Sequence, residues 1–250
     1  MRLFLAALAL VAAILAAQPA VAQGDGVAVS PEIGALFGRP FSELVEARYG
    51  ATLGLLKSEF PDDFALLDAQ IGLIAKAGGN EREMLRLAFD RFTEIRRKYA
   101  EKLLYAPGIH HSVILGRLAD FYDRVLKDEG PNVCGQFARD GTAVLFDLGL
   151  SEKYASFIDA QSFAYFDAVA KAAETPTFAG EVQQSDWSAV LQAMVAAGAP
   201  QSFVESIATG RSNDPQLCTA LAALFRTSGL LDSPEGARTR ADFAKNLTGY

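Results

Sequence analysis

The chain has 250 residues, with 23 Lys and Arg residues against 30 Asp and Glu residues, and a formal net charge of −7. This acidic balance argues against a nucleic-acid-binding domain, which normally concentrates basic residues on one face. An apolar content of 50% argues against a disordered chain. Two cysteines are too few for a disulfide-rich miniature scaffold or for a four-cysteine zinc site.

The first 22 residues have the pattern of a secretory signal peptide. Arg2 supplies a basic start, residues 3–17 are an unbroken apolar run, and Ala20-Val21-Ala22 is a small-residue cleavage site. The apolar run is shorter than the roughly 20 residues that span a bilayer, which favours cleavage over a permanent anchor. We expect a protein that begins at Gln23 and is exported, either periplasmic or secreted.

Removal of residues 1–22 takes away one charge, Arg2, and leaves a net charge of −8. The longest uncharged stretch that remains is 187–204, and Gly198-Ala199-Pro200 interrupts it as a helix stop. We therefore expect a soluble protein with no stable membrane insertion after signal cleavage.

The rest of the sequence predicts one helix after another. Residues 23–38 are rich in Gly and Ala and predict a mobile leader. Apolar residues then recur every three or four positions between Pro and Gly stops, which is the helical pattern. The predicted helices cover about 40–57, 61–77, 80–106, 109–129, 132–148, 151–173, 186–197, 201–209, 214–227 and 234–247.

No alternating β-branched run, hairpin turn or regular repeat is recognisable in the sequence. We therefore predict an all-α fold, an irregular bundle of about ten helices without a β-sheet. Residues 39–250 are interpreted as a single all-helical domain, with a possible division into two helical layers near 174–184.

The two cysteines predict a disulfide. Cys134 and Cys218 each lie on the apolar line of a predicted helix, so both side chains are expected to face the core. An exported protein in an oxidising compartment normally pairs such residues. We expect a bond between Cys134 and Cys218 that joins the two halves of the bundle.

The histidines do not form a recognisable metal motif. His110 and His111 are adjacent, so on a helix they point about 100° apart and do not share a face as the histidines of H-E-x-x-H do. We interpret both as solvent-facing residues at a helix start, and we expect no metal and no other cofactor.

Solvent-exposed ion pairs explain the charged clusters better than a catalytic site does. Residues 96–98 and Lys102 are basic and follow acidic residues early in the same predicted helix, as the helix dipole favours, so we expect a solvent-exposed face. Asp120, Asp123, Asp128 and Glu129 surround one helix end, and local pairs of Asp120 with Arg124 and Asp123 with Lys127 account for two of them. We assign no catalytic residue.

Aromatic residues are dense on the predicted helix at 151–173: Tyr154, Phe157, Phe163, Tyr165 and Phe166. They fall on more than one face, which favours a central core helix. The alternative is the lining of a pocket for a lipophilic ligand between helices.

The absence of catalytic motifs favours an exported protein that binds a partner protein through a helical surface. Two alternatives remain open: a carrier of a small lipophilic molecule that uses the aromatic cluster, and a carboxylate-dependent hydrolase. Asn246 begins a glycosylation triplet, which matters only in an organism that glycosylates.

Overall fold

A computed structural model describes residues 42–78 and 81–250. These ranges contain ten α-helices, one 3₁₀-helix and no β-strand, so the all-α prediction is confirmed. The predicted signal peptide and the leader at 23–38 lie outside the described residues. The helices are α1 (Ser42–Glu59), α2 (Pro61–Lys76), α3 (Glu81–Tyr99), the 3₁₀-helix (Ala100–Tyr105), α4 (Gly108–Asp140), α5 (Ala143–Asp147), α6 (Ala155–Glu174), α7 (Gln184–Ala196), α8 (Gln201–Thr209), α9 (Leu217–Leu230) and α10 (Pro234–Asn246).

Most helices begin and end where proline, glycine and capping residues predict. α2 has Pro61 in its first turn, and Ser233 accepts the N–H of Gly236 at 3.2 Å as the N-cap of α10. Gln183 and Asp186 form a reciprocal capping box at the start of α7. Local capping chemistry therefore defines several helix ends before tertiary contacts are considered.

Three of the predicted helices differ most from the structure. The helix predicted over 80–106 ends at Tyr99 and continues as the tighter 3₁₀-helix to Tyr105. The helices predicted over 109–129 and 132–148 are instead one long helix, α4, bent at Gly130, followed by the short α5. Gly130 has φ 80°, a conformation that glycine adopts without strain, and this allows the chain to turn before Pro131 and resume the helix.

α4 is the central helix of the bundle. It packs against both α6 and α9, and α10 covers it from a third side. α1 and α3 each pack on α2 and on α6, whereas α7, α8 and α10 pack around α9. The buried apolar side chains of both groups belong to one core cluster.

Two contacts join the later helices tightly to the rest. Asp186 of α7 is fully buried and accepts two hydrogen bonds from Arg238 of α10, at 2.7 and 2.8 Å. The loop before α9 lies against α4 at Gly135, where an added Cβ would stand 1.7 Å from the carbonyl oxygen of Ser212. Only glycine fits that position without a shift of the loop.

Residues 247–250 return into the core beside α3, α4 and α5. The carbonyl oxygen of Gly249 accepts the N–H of Thr142 at 3.1 Å, and the hydroxyl of Tyr250 donates to the carbonyl of Ala138 at 2.7 Å. The Tyr250 ring packs edge-on against Phe137, with centroids 5.6 Å apart. Residues 247–250 therefore complete the part of the core beside α3, although they are distant from α3 in the sequence.

Candidate functional site

The two cysteines meet in the core, as the sequence predicts. Cys134 of α4 and Cys218 of α9 are both buried, their Cα atoms are 6.2 Å apart, and their sulfur atoms are within bonding distance. No free cysteine remains in the chain. The pair joins the central helix to the C-terminal group of helices, and such a disulfide indicates an oxidising compartment.

The five aromatic residues of the α6 region do not gather around one cavity. Tyr154, Tyr165 and Phe166 are almost completely buried, and Phe157 is partly buried in a ring stack with Phe121 whose centroids are 5.4 Å apart. Phe166 packs on Phe60 and Phe92, and the Tyr165 hydroxyl donates to the carbonyl of Arg96 at 2.9 Å. Phe163 alone is exposed, and it lines a surface groove.

The expectation that the basic run 96–98 is a solvated face is wrong for Arg96. Its side chain is 1% exposed, and its guanidinium donates to the main-chain oxygen of Tyr250 and to the hydroxyl of Thr93. Burial lowers the pKa of Arg96 to about 10. Arg96 lies four residues after Phe92 on the apolar face of α3, and residues 247–250 cover that face. Lys98 keeps the expected surface role and pairs with Asp63 at 2.7 Å.

The histidines are not the solvent-facing turn residues that the sequence favours. His111 is 2% exposed, and a ring nitrogen lies 2.6 Å from the carbonyl of Leu103. Burial is the main cause that lowers the pKa of His111 to about 4. His110 is partly buried and lies 2.9 Å from a carboxylate oxygen of Asp167. Both side chains are held by the 3₁₀-helix and α6, which the sequence pattern does not reveal.

Ion pairs account for the carboxylates that precede the bend of α4 at Gly130, although two of the partners differ from those predicted. Arg226 of α9 binds Asp120 at 2.9 Å and Asp123 at 2.7 Å, in place of the local partners expected on α4. Asp128 pairs with Arg124 at 2.7 Å and Glu129 with Lys153 at 2.5 Å. These four carboxylates therefore bridge structural elements instead of lining a catalytic cleft.

A group of exposed aliphatic side chains lies where α9 ends beside α4. Ile109 and Val113 are one turn apart on α4 and are 68% and 42% exposed, and Leu230 at the end of α9 is 82% exposed. The Ser112 hydroxyl donates to the carbonyl of Gly229 at 2.7 Å, which places Leu230 next to this part of α4. We call Ile109, Val113 and Leu230 the aliphatic face.

Two further exposed rings lie at the end of the 3₁₀-helix that precedes α4. Tyr105, four residues before Ile109, stacks on Phe178 with centroids 5.4 Å apart, and both are about half exposed. The N–H of Thr177 donates to the carbonyl of Tyr105 at 2.7 Å and holds the stack against the 3₁₀-helix. Half of the large apolar side chains that are exposed in the described residues therefore lie in this part of the molecule.

A groove of about 590 Å³ lies between α1, α4 and the start of α6. Its charged lining consists of Arg48, Arg117, Lys153, Glu152 and Asp159, and its uncharged lining of Gly50, Ala51, Ala155, Ser156, Ala160 and Phe163. We call it the α1–α6 groove. A kink at Tyr49 shapes its edge, because the carboxylate of Asp159 accepts the N–H groups of Ala51 and Thr52 where α1 resumes.

A second groove, of about 420 Å³, separates α8 from the loop before α9. Its lining is polar and includes the two carboxylates Glu205 and Asp214. Asp214 accepts the N–H of Gln216 at 2.8 Å, so it caps the turn that precedes α9. This carboxylate therefore has a structural role in that turn.

Within 42–78 and 81–250, no group of three or more His, Cys, Asp or Glu side chains is placed to hold a metal ion. In the same ranges, no helix is both long enough and apolar enough to cross a membrane. Comparisons with protein-family models, curated proteins and solved structures found no match to this chain. The functional argument therefore depends on the geometry of the surface.

Proposed function

We propose that this protein is exported and acts by binding a partner protein through the aliphatic face. The observation that supports this proposal is the exposure of Ile109, Val113 and Leu230 around one contact between α4 and α9. Single exposed apolar residues are normal on a protein surface, whereas a contiguous group marks an interaction site. Burial of the exposed parts of these side chains by a partner supplies the driving force for association.

Two observations support export. Residues 1–22 have the basic start, apolar run and small-residue cleavage site of a signal peptide. The buried Cys134–Cys218 pair fits an oxidising compartment, where disulfides persist.

The net charge of the chain favours a protein partner over a membrane surface. The charges nearest the aliphatic face are mixed: the exposed Asp232 lies two residues after Leu230, and Arg240 donates to the carbonyl of Leu231 at 2.6 Å. The chain as a whole carries a net charge of −7. Anionic lipid headgroups attract basic segments, so this net negative charge opposes adsorption to a bilayer.

The two alternatives receive less support from the structure. The hydrolase requires carboxylates free to exchange protons, and the candidates on α4 are held by Arg226, Arg124 and Lys153. The aromatic-pocket carrier requires rings that face a cavity, and three of the five rings are packed in the core.

Site-specific photo-crosslinking in cells of the source organism tests the proposal. A photo-reactive amino acid replaces Ile109 or Leu230 in turn, and Leu73, an exposed aliphatic residue on α2, is the matched control position. We expect a protein adduct of the same added mass from positions 109 and 230 and none from position 73. The substitution Ile109→Asp is expected to abolish the adduct formed from position 230.

Three results would overturn the proposal. One is the absence of any protein adduct from both positions in the aliphatic face. Another is an adduct of equal yield from position 73, which would show non-specific collisions. The third is an adduct to lipid alone, which would assign the face to a membrane surface.

A further inference from the structure

The α1–α6 groove has a charge balance unlike that of the whole chain. Three cationic side chains and two carboxylates line it, whereas the chain carries a net charge of −7. Both carboxylates already have partners: Glu152 pairs with Arg48, and Asp159 accepts two main-chain N–H groups of α1. With three cationic side chains against two carboxylates, the formal charge of the lining is +1.

Arg117 is the cation in this groove that is available for a ligand. Lys153 is held by Glu129 at 2.5 Å and by Asp128 at 3.4 Å. Arg117 lies on the exposed side of α4 and has no hydrogen bond or ion pair with any described residue. A guanidinium presents a planar set of donors that matches the two oxygens of a carboxylate.

The uncharged lining suits the apolar part of a small ligand. Gly50, Ala51, Ala155 and Ala160 have small side chains and leave the volume open, and Phe163 supplies a partly exposed ring. The volume of about 590 Å³ is within the range of about 300–1,000 Å³ found for small-molecule sites.

We propose that the α1–α6 groove binds a small organic carboxylate, with the carboxylate on Arg117 and the apolar part on Phe163. Glu152 and Asp159 favour a monoanion over a dianion such as phosphate, because like charges in a shared groove repel. The groove is formed by α1, α4 and α6 and does not include the aliphatic face. This inference is therefore independent of the proposed protein partner.

Titration of the purified, ¹⁵N-labelled protein tests this site. The probes are decanoate and 3-phenylpropanoate, with decanamide as the neutral counterpart and inorganic phosphate as the dianion. We expect saturable shifts of the Ala51, Ser156 and Ala160 amide signals with at least one carboxylate. Decanamide and phosphate are expected to bind at least tenfold more weakly than that carboxylate.

Two variants locate the charged contact. Arg117→Gln is expected to weaken carboxylate binding at least tenfold while the melting temperature stays unchanged, because Arg117 contacts no described side chain through a hydrogen bond. Arg139→Gln is the matched control, since Arg139 is an exposed arginine on the same helix that pairs with its neighbour Asp140. It is expected to leave the affinity unchanged.

Four results would overturn the inference. They are the absence of saturable shifts with both carboxylates, equal binding of decanoate and decanamide, tighter binding of phosphate than of either carboxylate, and full affinity in Arg117→Gln. Shifts confined to residues outside the groove would equally place the ligand elsewhere.

Discussion

The link between Cys134 and Cys218 is expected to provide a large part of the stability of the bundle. The two residues are 84 positions apart, and chain-entropy arguments assign a loop of that length about 4.5 kcal/mol at 25 °C. This figure is an upper value, because residual structure in the unfolded chain reduces it. For a chain of this size, each kcal/mol corresponds to about 2–4 °C in melting temperature. Loss of the link is therefore expected to lower the melting temperature by roughly 9–18 °C at most.

The assay compares thermal unfolding of the native protein with and without reductant, and of the Cys134→Ala/Cys218→Ala double variant. Far-UV circular dichroism at 20 °C is expected to show the same helix content in all three samples, because the helices are defined by local capping and by core packing. The reduced protein and the double variant should melt at similar temperatures, both below the oxidised protein. Two titratable thiols per chain in the denatured, unreduced native protein would refute the bond itself. A melting temperature insensitive to reduction would refute its assigned contribution.

Three further predictions concern packing and charge. Arg238→Ala leaves the buried carboxylate of Asp186 without its cation and is expected to lower the urea midpoint. The surface control Arg139→Ala should lower it much less, and equal effects would contradict the role of this pair. The fold lowers the pKa of His111 to about 4, so as the pH falls the unfolded chain binds a proton at this residue before the folded chain does. The free energy of unfolding should therefore decrease by about 3 kcal/mol between pH 6.5 and 4. His111→Gln should lack this part of the pH dependence, and an unchanged pH profile would rule out this histidine as its source. Gly135→Ala is expected to destabilise the fold, because an added Cβ would lie 1.7 Å from the carbonyl oxygen of Ser212. Gly116→Ala, on the same helix and with open space around the added Cβ, should stabilise the fold by about 0.5–1 kcal/mol. Urea midpoints of the two variants that move in the same direction would contradict this pair of predictions.

Helix positions could be predicted from the sequence because apolar spacing and the Pro and Gly stops act locally. The exceptions have a physical cause. Apolar residues at every third or fourth position suit the 3₁₀-helix at Ala100–Tyr105 as well as an α-helix, so the pattern did not show where α3 ends. The helix predicted over 132–148 was also wrong as one helix, because α4 ends at Asp140 and Gly141 has φ 69°.

The surroundings of charged residues were less predictable, because their partners come from distant parts of the chain. Arg96 follows Phe92 by one turn, a spacing that signals the apolar face, but its acceptor is Tyr250. The actual partner of Asp120 is Arg226, 106 positions away, although Arg124 stands at the spacing of a local pair.

The α1–α6 groove could not be predicted from the sequence for the same reason. Arg48, Arg117 and Asp159 come from three different helices, and only the packed bundle brings them into one lining. The pairing of Cys134 with Cys218 was predictable because two cysteines allow one intramolecular bond.

The return of residues 247–250 into the core affects the order in which the chain acquires its structure. The guanidinium of Arg96 donates to the main-chain oxygen of Tyr250, 154 positions later in the chain. The N–H of Thr142, directly before α5, donates to the carbonyl of Gly249. At a synthesis rate of about 5–20 residues per second, roughly 8–30 seconds therefore pass between the synthesis of Arg96 and that of Tyr250. This part of the core is incomplete during that interval. An incompletely closed bundle exposes Phe137 and its neighbours to solvent over that interval. Completion of this part of the core therefore depends on residues 247–250, which are synthesised after every helix of the bundle.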